Sequence, residues 1–372
     1  MNVLSLFKRK YYPLNTIEIS TQALRDNYDY LSKFDSELSI APVLKSNAYG
    51  HGLQLVGKIL DNVGAPFLCV DSLYEAYELK KVNIKTPILI MGYVHPKNLK
   101  TRELPFTYAV YDKEQVLAIS KYQKQSSIHI FVDTGMHREG INIEELPDFL
   151  KFVKDLKNIR VDGLMSHLGA ADQNLMTEKQ LENFNKAKEM ISTAGFNPTW
   201  FHIAASGGLL HSKEYKKKMG NLARCGISIY GIDPEGKDKN LRPVLELKTT
   251  LNQIKYIKKD ERIGYDFTYN AKKNMTIGIL PLGYFDGVDR RLSNKGFVSI
   301  NNTLCPIIGR VSMNLTTIDI TEVKNPQVGD VVTVYSKVIS NKNSIYSSSD
   351  LSGTIPYDLL IRLATSTKRI VV

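Results

Sequence analysis

From about residue 38 to residue 230 the chain repeats one rhythm: a short apolar run, a break in small or polar residues, then a stretch of helical period. The strand-like runs are Leu38–Leu44, Pro66–Val70, Pro87–Met91, Thr107–Val110, Ile128–Val132, Val161–Ser166, Trp200–Ala204 and Leu222–Ile229. Leu53–Asn62, Leu73–Lys81, Ile143–Leu156 and Thr177–Ala194 carry the clearest helical patterns between them. Parallel strands need such crossovers, and eight consecutive units close most naturally into a (β/α)₈ TIM barrel. An open doubly wound sheet would show a Gly-rich fingerprint after its first strand and a break between halves. Neither is present.

Near residue 240 the character changes. Leu245–Ile257, Met275–Leu280, Phe297–Ile300, Thr303–Ile308, Leu315–Asp319, Asp330–Tyr335 and Ile370–Val372 alternate or are rich in β-formers, with glycines between them as turns or tight crossings. The fold class expected is therefore α/β: a barrel over residues 12–240, followed by a mostly β domain over 241–372. Asn15–Ile19 reads as a strand outside the barrel that pairs with the C-terminal domain, and Ser-rich Tyr346–Asp350 reads as a mobile loop.

The chain's 372 residues allow two sizeable cores, and 43% hydrophobic with 23% charged residues is ordinary for a soluble protein. The net charge of +11 favours anions, but Lys and Arg are dispersed, which argues against nucleic acid. Cys69, Cys225 and Cys305 are far apart in apolar surroundings, a pattern of neither disulfides nor a metal site, and one suited to a reducing cytoplasm. The opening Met1–Lys10 has its charges after a very short apolar run, the reverse of a secretory signal. No apolar run is long enough to span a membrane.

The chemistry concentrates where strands end. Ala41-Pro-Val-Leu-Lys45-Ser-Asn-Ala-Tyr49-Gly-His51-Gly52 delivers one lysine just where the first apolar run gives way to a glycine-bearing loop. Lys45 is either a solvated strand-end lysine or a partly desolvated amine able to attack a carbonyl. In a barrel, function gathers at the C-terminal strand ends, with phosphate often near the last two. There Ser206-Gly-Gly208 is either a plain turn or an anion cradle. His167, at the end of the sixth strand, is either structural or a ring that stacks on a flat cofactor. Arg224, inside an apolar run, must be buried with partners. It belongs either to an internal ion pair or to a cofactor's ring nitrogen, where a permanent cation would weaken the ring as an electron sink.

These segments resemble the alanine racemase family, in family order over approximately residues 12 to 372. The resemblance implies pyridoxal 5'-phosphate as cofactor, held through Lys45 as an internal aldimine. It places Tyr49, Ser206, Gly226, Ile227 and Tyr357 at the phosphate, His167 behind the ring and Arg224 at the pyridine nitrogen. Racemisation is cleanest with a base on each substrate face. The 20 tyrosines give physics no means of choosing one. The segment Ile263-Gly-Tyr265-Asp-Phe-Thr-Tyr269 resembles that of the family's opposing tyrosine, making Tyr265 the second base; by composition alone it is a packing residue. The resemblance further implies a homodimer with shared sites, Tyr265 acting on the partner's substrate. It assigns Arg138, Met313 and Tyr284 to the substrate. A positive Arg138 beside Tyr265 would lower a phenol pKa of about 10.

Some positions depart from the family. Ala205 stands where many members carry asparagine. Phe131 replaces a lysine, sometimes carbamylated, that steers the arginine at position 138, so Arg138 needs another orienting group. Ser312 and Asn314 flank Met313 in place of Cys and Asp. The expected activity is interconversion of L- and D-alanine for cell-wall synthesis. The alternatives are a racemase of serine or a larger amino acid, a barrel decarboxylase or aldolase (which Arg224 disfavours), and a cofactor-carrying regulatory protein, which would lack the second domain.

Overall fold

The computed structural model describes residues 12–170, 174–211 and 213–372. The chain divides into two compact units, one of residues 21–244 and one of residues 12–20 with 245–372.

The first strand, β1 (Thr16–Ile19), belongs to the second of these units. The barrel unit contains β2 (Ser39–Pro42), β3 (Leu68–Val70), β4 (Ile88–Ile90), β5 (Thr107–Val110), β6 (Ser126–Asp133), the short β7 (Ile141–Asn142), β8 (Ile159–Met165), β9 (Trp200–His202) and β10 (Leu222–Cys225). A parallel sheet runs β3-β4-β5-β6-β8-β9, and β10 pairs in parallel with β2. Parallel bridges from Val43 to Cys69 and from Ala205 to Arg224 close the ring. The result is an eight-stranded (β/α)₈ barrel, with β7 a side pairing on β6. Strands in such a barrel are covered on both faces, hence their unbroken apolar runs. Ala41, Val43, Phe67, Cys69, Leu89 and Leu222 form one core cluster.

The last apolar run is shorter as a strand than its sequence suggests. β10 stops at Cys225, and Gly226–Gly231 turn back on themselves, with Ile229 N–H donating to Gly226 O at 2.9 Å and Tyr230 N–H to Ile227 O at 3.1 Å. Ile227 and Ile229 are buried in that turn, so their apolarity reports burial rather than strand.

The second unit is mostly β. It contains β11 (Leu245–Thr250), β12 (Gln253–Ile257), β13 (Arg262–Ile263), β14 (Tyr269–Asn270), β15 (Met275–Leu280), β16 (Phe297–Ile300), β17 (Thr303–Pro306), β18 (Thr316–Asp319), β19 (Val331–Tyr335) and β20 (Lys368–Val371). Six strands run β17-β16-β19-β11-β1-β20, three run β12-β15-β18, and β13 pairs with β14. β1 lies antiparallel to β11, with Ile17 opposite Leu247, and parallel to β20. Gly278 sits inside β15 because a Cβ there would stand 2.5 Å from Leu251 Cδ1.

Tyr346–Asp350 is not a loop. It lies within helix Ile345–Ser352, capped by Ser344, whose hydroxyl accepts from Ser347 N–H at 3.2 Å. Ser348, Ser349 and Ser352 are buried, so the polar composition here does not mark solvent.

Candidate active site

Lys45 does not end the first barrel strand; it opens a turn three residues beyond Pro42. Ser46, Asn47 and Ala48 have φ of 56°, 55° and 53°, and Tyr49 continues at 51°, forming one turn of left-handed helix. Such backbone costs L-residues roughly 1–2 kcal/mol each. It persists only where the surroundings over-determine it. The main restraint is Glu75. Its Oε1 accepts from Ser46 N–H at 2.6 Å, and its Oε2 accepts from Asp71 N–H at 2.9 Å and Ser72 N–H at 3.3 Å. Asn47 adds a bond from Leu53 N–H at 2.9 Å. The Lys45 side chain is 39% exposed, its Nζ 3.6 Å from the Asp71 carboxylate. An ion pair this open adds little stability. The amine is therefore held at the rim without being locked there.

The left-handed turn carries Tyr49 across to the end of β10. Its ring lies 5.1 Å from that of Tyr230, whose hydroxyl donates to Val43 O at 3.0 Å. The Tyr49 hydroxyl covers Gly226 so closely that a Cβ on Gly226 would stand 2.3 Å from it. Gly226 N–H donates to Ser206 Oγ at 3.1 Å, and Ser228 N–H and Oγ approach that oxygen at 3.3 and 2.9 Å. Tyr49, Ser206, Gly226 and Ile227 thus converge on one corner. Gly208 has a different job from the open anion cradle its sequence suggests. It is buried, and a Cβ on it would stand 3.1 Å from Leu168 Cδ1.

Arg224 is 3% exposed. Its NH1 donates to His202 Nδ1 at 2.5 Å and His202 O at 3.0 Å, and its NH2 to Ser166 O at 2.5 Å and His167 Nδ1 at 3.3 Å. Among the described residues no carboxylate forms an ion pair with it, so the internal ion-pair alternative is set aside. Burial pulls the guanidinium down to about 10, and it remains charged at neutral pH. His167 feels burial first, then the charges of Arg224, Arg138 and Lys45, and is pushed down to about 3. One neutral imidazole therefore lies within reach of all three cations. Its carbonyl is fixed by Gln180 Nε2 at 2.9 Å.

Arg138 stands in the loop after β6. Asp133 shapes that loop by accepting from Gly135, Met136 and His137 N–H at 2.9, 2.9 and 3.1 Å. Phe131 is buried against Ala109 and Met165 and offers Arg138 nothing. Glu139 stands closest to the guanidinium in charge, its Oε2 3.7 Å from Arg138 Nε, while its Oε1 accepts from Tyr111 hydroxyl at 3.4 Å.

The other unit gathers its own set. Tyr265 opens a single 3₁₀ turn, Tyr265–Phe267, and is 68% exposed. Asp266 pairs with Arg310 Nε at 2.7 Å. Asn294 ties the turn to the next loop, accepting from Gly309 N–H at 2.6 Å and donating to Thr268 Oγ1 at 3.2 Å. Tyr284 N–H donates to Ser312 O and Phe285 N–H to Met313 O, both at 3.0 Å. That approach requires Gly283, where a Cβ would stand 2.1 Å from Ser312 O. Tyr265, Tyr284 and Met313 therefore share one loop cluster. Tyr357 lies in the first turn of helix Pro356–Ile361 in the same unit.

Sequence reasoning missed Glu75, His129, His202 and Glu139. The Ser72-x-x-Glu75 spacing is a capping-box signal and could have marked Glu75 as a helix-start residue, though not as the clamp on Ser46. No local pattern announces the other three.

The comparisons with known proteins place this architecture. Residues 19–234 match the family model for the alanine racemase N-terminal domain, and residues 244–371 match that for the C-terminal domain. The alanine racemase of Citrifermentans bemidjiense is 33% identical over 366 residues, 94% of this chain and 96% of that protein. That of Methanococcus maripaludis is 35% identical over 95% of this chain and 97% of its own length. Among solved structures, alanine racemase from Bacillus anthracis with bound L-Ala-P superposes with a TM-score of 0.88 at 29% identity, covering 98% of this chain and 96% of that one. Alanine racemase from Bartonella henselae with covalently bound pyridoxal phosphate gives 0.83 at 26% identity, covering 97% and 100%. Fold and site together define a barrel enzyme with a β domain appended. The chain belongs to the alanine racemase family.

Among the described residues no helix is long and apolar enough to cross a membrane, and no cluster of three His, Cys, Asp or Glu residues forms a metal site.

Proposed function

We propose that this chain interconverts L- and D-alanine with pyridoxal 5'-phosphate, as a homodimer in the cytoplasm, supplying D-alanine for peptidoglycan. The observation that carries this reading is the convergence of Lys45, Arg224 and the Tyr49–Ser206–Gly226 corner at one end of a barrel, in a member of this family.

The residues suit that cofactor. Gly226 lets the Tyr49 hydroxyl close onto the backbone where a Cβ would clash, and the corner is lined by the Tyr49 and Ser206 hydroxyls with the Gly226 backbone. Together with Ile227 and Tyr357 they would hold the phosphate. Lys45 would bind the cofactor covalently, His167 would back its ring and Arg224 would donate to the pyridine nitrogen. When bound, the cofactor supplies an electron-withdrawing ring that acidifies the α-carbon of an attached amino acid. The protein's task is then to move one proton at that carbon. The Lys45 amine takes or returns it on one face, and the Tyr265 phenol of the partner subunit serves the other. Arg138 (with the Glu139 carboxylate nearest it), the Met313 backbone and Tyr284 orient the substrate.

Purified protein loaded with pyridoxal phosphate and given L-alanine should form D-alanine until the enantiomers are equal, read by chiral chromatography. Faster turnover of L-serine than of L-alanine would overturn the alanine assignment. Borohydride reduction followed by peptide mass analysis should place the pyridoxyl group on Lys45, and a label on another lysine would remove Lys45 from the mechanism.

A further inference from the structure

We propose that His129 is a positioning residue for Arg224, acting through His202 along a hydrogen-bond chain whose direction is fixed. The proposal deepens the function proposed above and rests on its reading of Arg224 as partner of the pyridine nitrogen.

His129 on β6, His202 on β9 and Arg224 on β10 come from three strands into the barrel interior, at 0%, 0% and 3% exposure. His129 fits there because its register partner on β8 is Gly163, where a Cβ would stand 2.5 Å from the His129 Cγ. The Phe67 ring closes over it edge-on at 5.2 Å.

The direction of the chain follows from one chemical fact: a guanidinium N–H can only donate. Arg224 NH1 lies 2.5 Å from His202 Nδ1, so that nitrogen must offer its lone pair. Neutral His202 then carries its proton on Nε2. That nitrogen lies 2.8 Å from His129 Nδ1, which must accept. His129 in turn carries its own proton on Nε2, which is buried without a hydrogen-bond partner among the described residues, so the chain ends there. Protonating either imidazole would set N–H against N–H and add a second buried cation. Accordingly His129 is held down at about 3 by burial and by the charges of Arg224 and Arg160, and His202 lies well below its ordinary value for want of solvation and because of Arg224.

The consequence falls on the arginine. Donation from His202 to His129 polarises the His202 ring and strengthens Nδ1 as an acceptor. NH1 is thereby fixed by an acceptor that carries no charge, while Ser166 O fixes NH2. Without His129 the His202 Nε2–H is buried with no acceptor. The ring then relieves itself by moving or by changing tautomer, and a proton on Nδ1 would repel the guanidinium.

The test is ¹⁵N spectroscopy of histidine-labelled protein, with and without pyridoxal phosphate, between about pH 8 and pH 5. Both rings should show a protonated Nε2 and a bare Nδ1 throughout. A proton on Nδ1 of either, or titration near the free imidazole value, overturns the chain. In the loaded enzyme His129→Leu should lower kcat about 10-fold, the scale of one buried hydrogen bond lost, with KM for alanine unchanged. His129→Asn, whose amide oxygen can accept from His202, should recover most of the loss. Equal losses in the two variants, or a rise in KM alone, also overturn the positioning role. The wild-type spectrum decides the tautomers even if a variant fails to fold. Loading with cofactor labelled at the pyridine nitrogen separates the underlying reading: a protonated ring nitrogen defeats the assignment of Arg224 whatever the histidine tautomers are.

Discussion

Lowering the pH from 7 to 5 should cost this protein a large part of its stability, well before its carboxylates protonate. His129 and His202 are fully buried and neutral, with His129 held at about 3 against an ordinary value of 6.5. In the unfolded chain both rings regain the ordinary value. Between pH 6.5 and 3 the unfolded state therefore binds protons that the native state refuses, so stability is complete above 6.5 and falls as pH falls. Unfolded imidazole is about one-quarter protonated at pH 7 and nearly fully protonated at pH 5, which for His129 is worth about 1.9 kcal/mol. His202 adds a loss of the same sign, so the change is at least about 2 kcal/mol, against a total of about 5–15 kcal/mol for a typical domain. His167, whose ring is less enclosed, adds a smaller amount of the same sign. Asp133 and Asp233 lie below their ordinary 3.8, so their losses fall at lower pH and leave this window to the histidines. The measurement is the urea midpoint by circular dichroism at pH 7 and pH 5, at fixed protein and cofactor concentration. In His129→Asn the same acid-induced loss should shrink by about 1.9 kcal/mol, because one imidazole has gone. A wild-type loss below about 1 kcal/mol, with an unchanged urea slope, would refute the reasoning.

Gly226→Ala places a Cβ 2.3 Å from the Tyr49 hydroxyl. Overpacking costs about 1–3 kcal/mol, so pyridoxal phosphate affinity should fall roughly 5- to 150-fold by titration; unchanged affinity would remove this corner from the phosphate site. Glu139→Gln takes away the charge nearest Arg138 and should raise KM for alanine by a few-fold, about 1 kcal/mol of lost substrate binding, with kcat less affected; an effect on kcat alone would argue that Glu139 does not act through substrate binding. Tyr265→Phe should lower racemisation roughly 10²–10⁴-fold, and Lys45→Ala should abolish it. Mixed, the two inactive proteins should recover up to about a quarter of wild-type sites, since half of randomly reassociated dimers contain one intact pair. Heterodimers that form and stay silent would place Tyr265 in the same subunit as its lysine.

The barrel was legible because its strands are buried on both faces, and burial leaves a continuous apolar run that needs no partner to be recognised. Met275–Leu280 and Phe297–Ile300 are strands over the very residues that alternation suggests. The misreading at Tyr346–Asp350 has a matching cause. Serine composition points to solvent, but Ser349 returns its hydroxyl to Tyr346 O at 2.8 Å and Ser344 caps the helix, so these hydroxyls are satisfied internally. The site was harder to read because its restraints are distant in sequence. Lys45, Arg224 and Tyr265 could be picked out by family resemblance, whereas what shapes them could not. The Ser46 N–H meets a carboxylate 29 residues away, and His129 meets His202 across 73. Left-handed backbone usually announces itself through glycine, since other residues pay for it. Here Ser-Asn-Ala-Tyr adopts it with no glycine until the turn is complete. Glu75 makes this possible by serving two elements with one carboxylate: Oε2 completes a capping box with Ser72, and Oε1 remains free to hold the strained turn. Because the helix anchors that carboxylate, it can oppose the strain at Ser46. The geometry of the lysine loop is thus set by the start of a helix that follows the next strand.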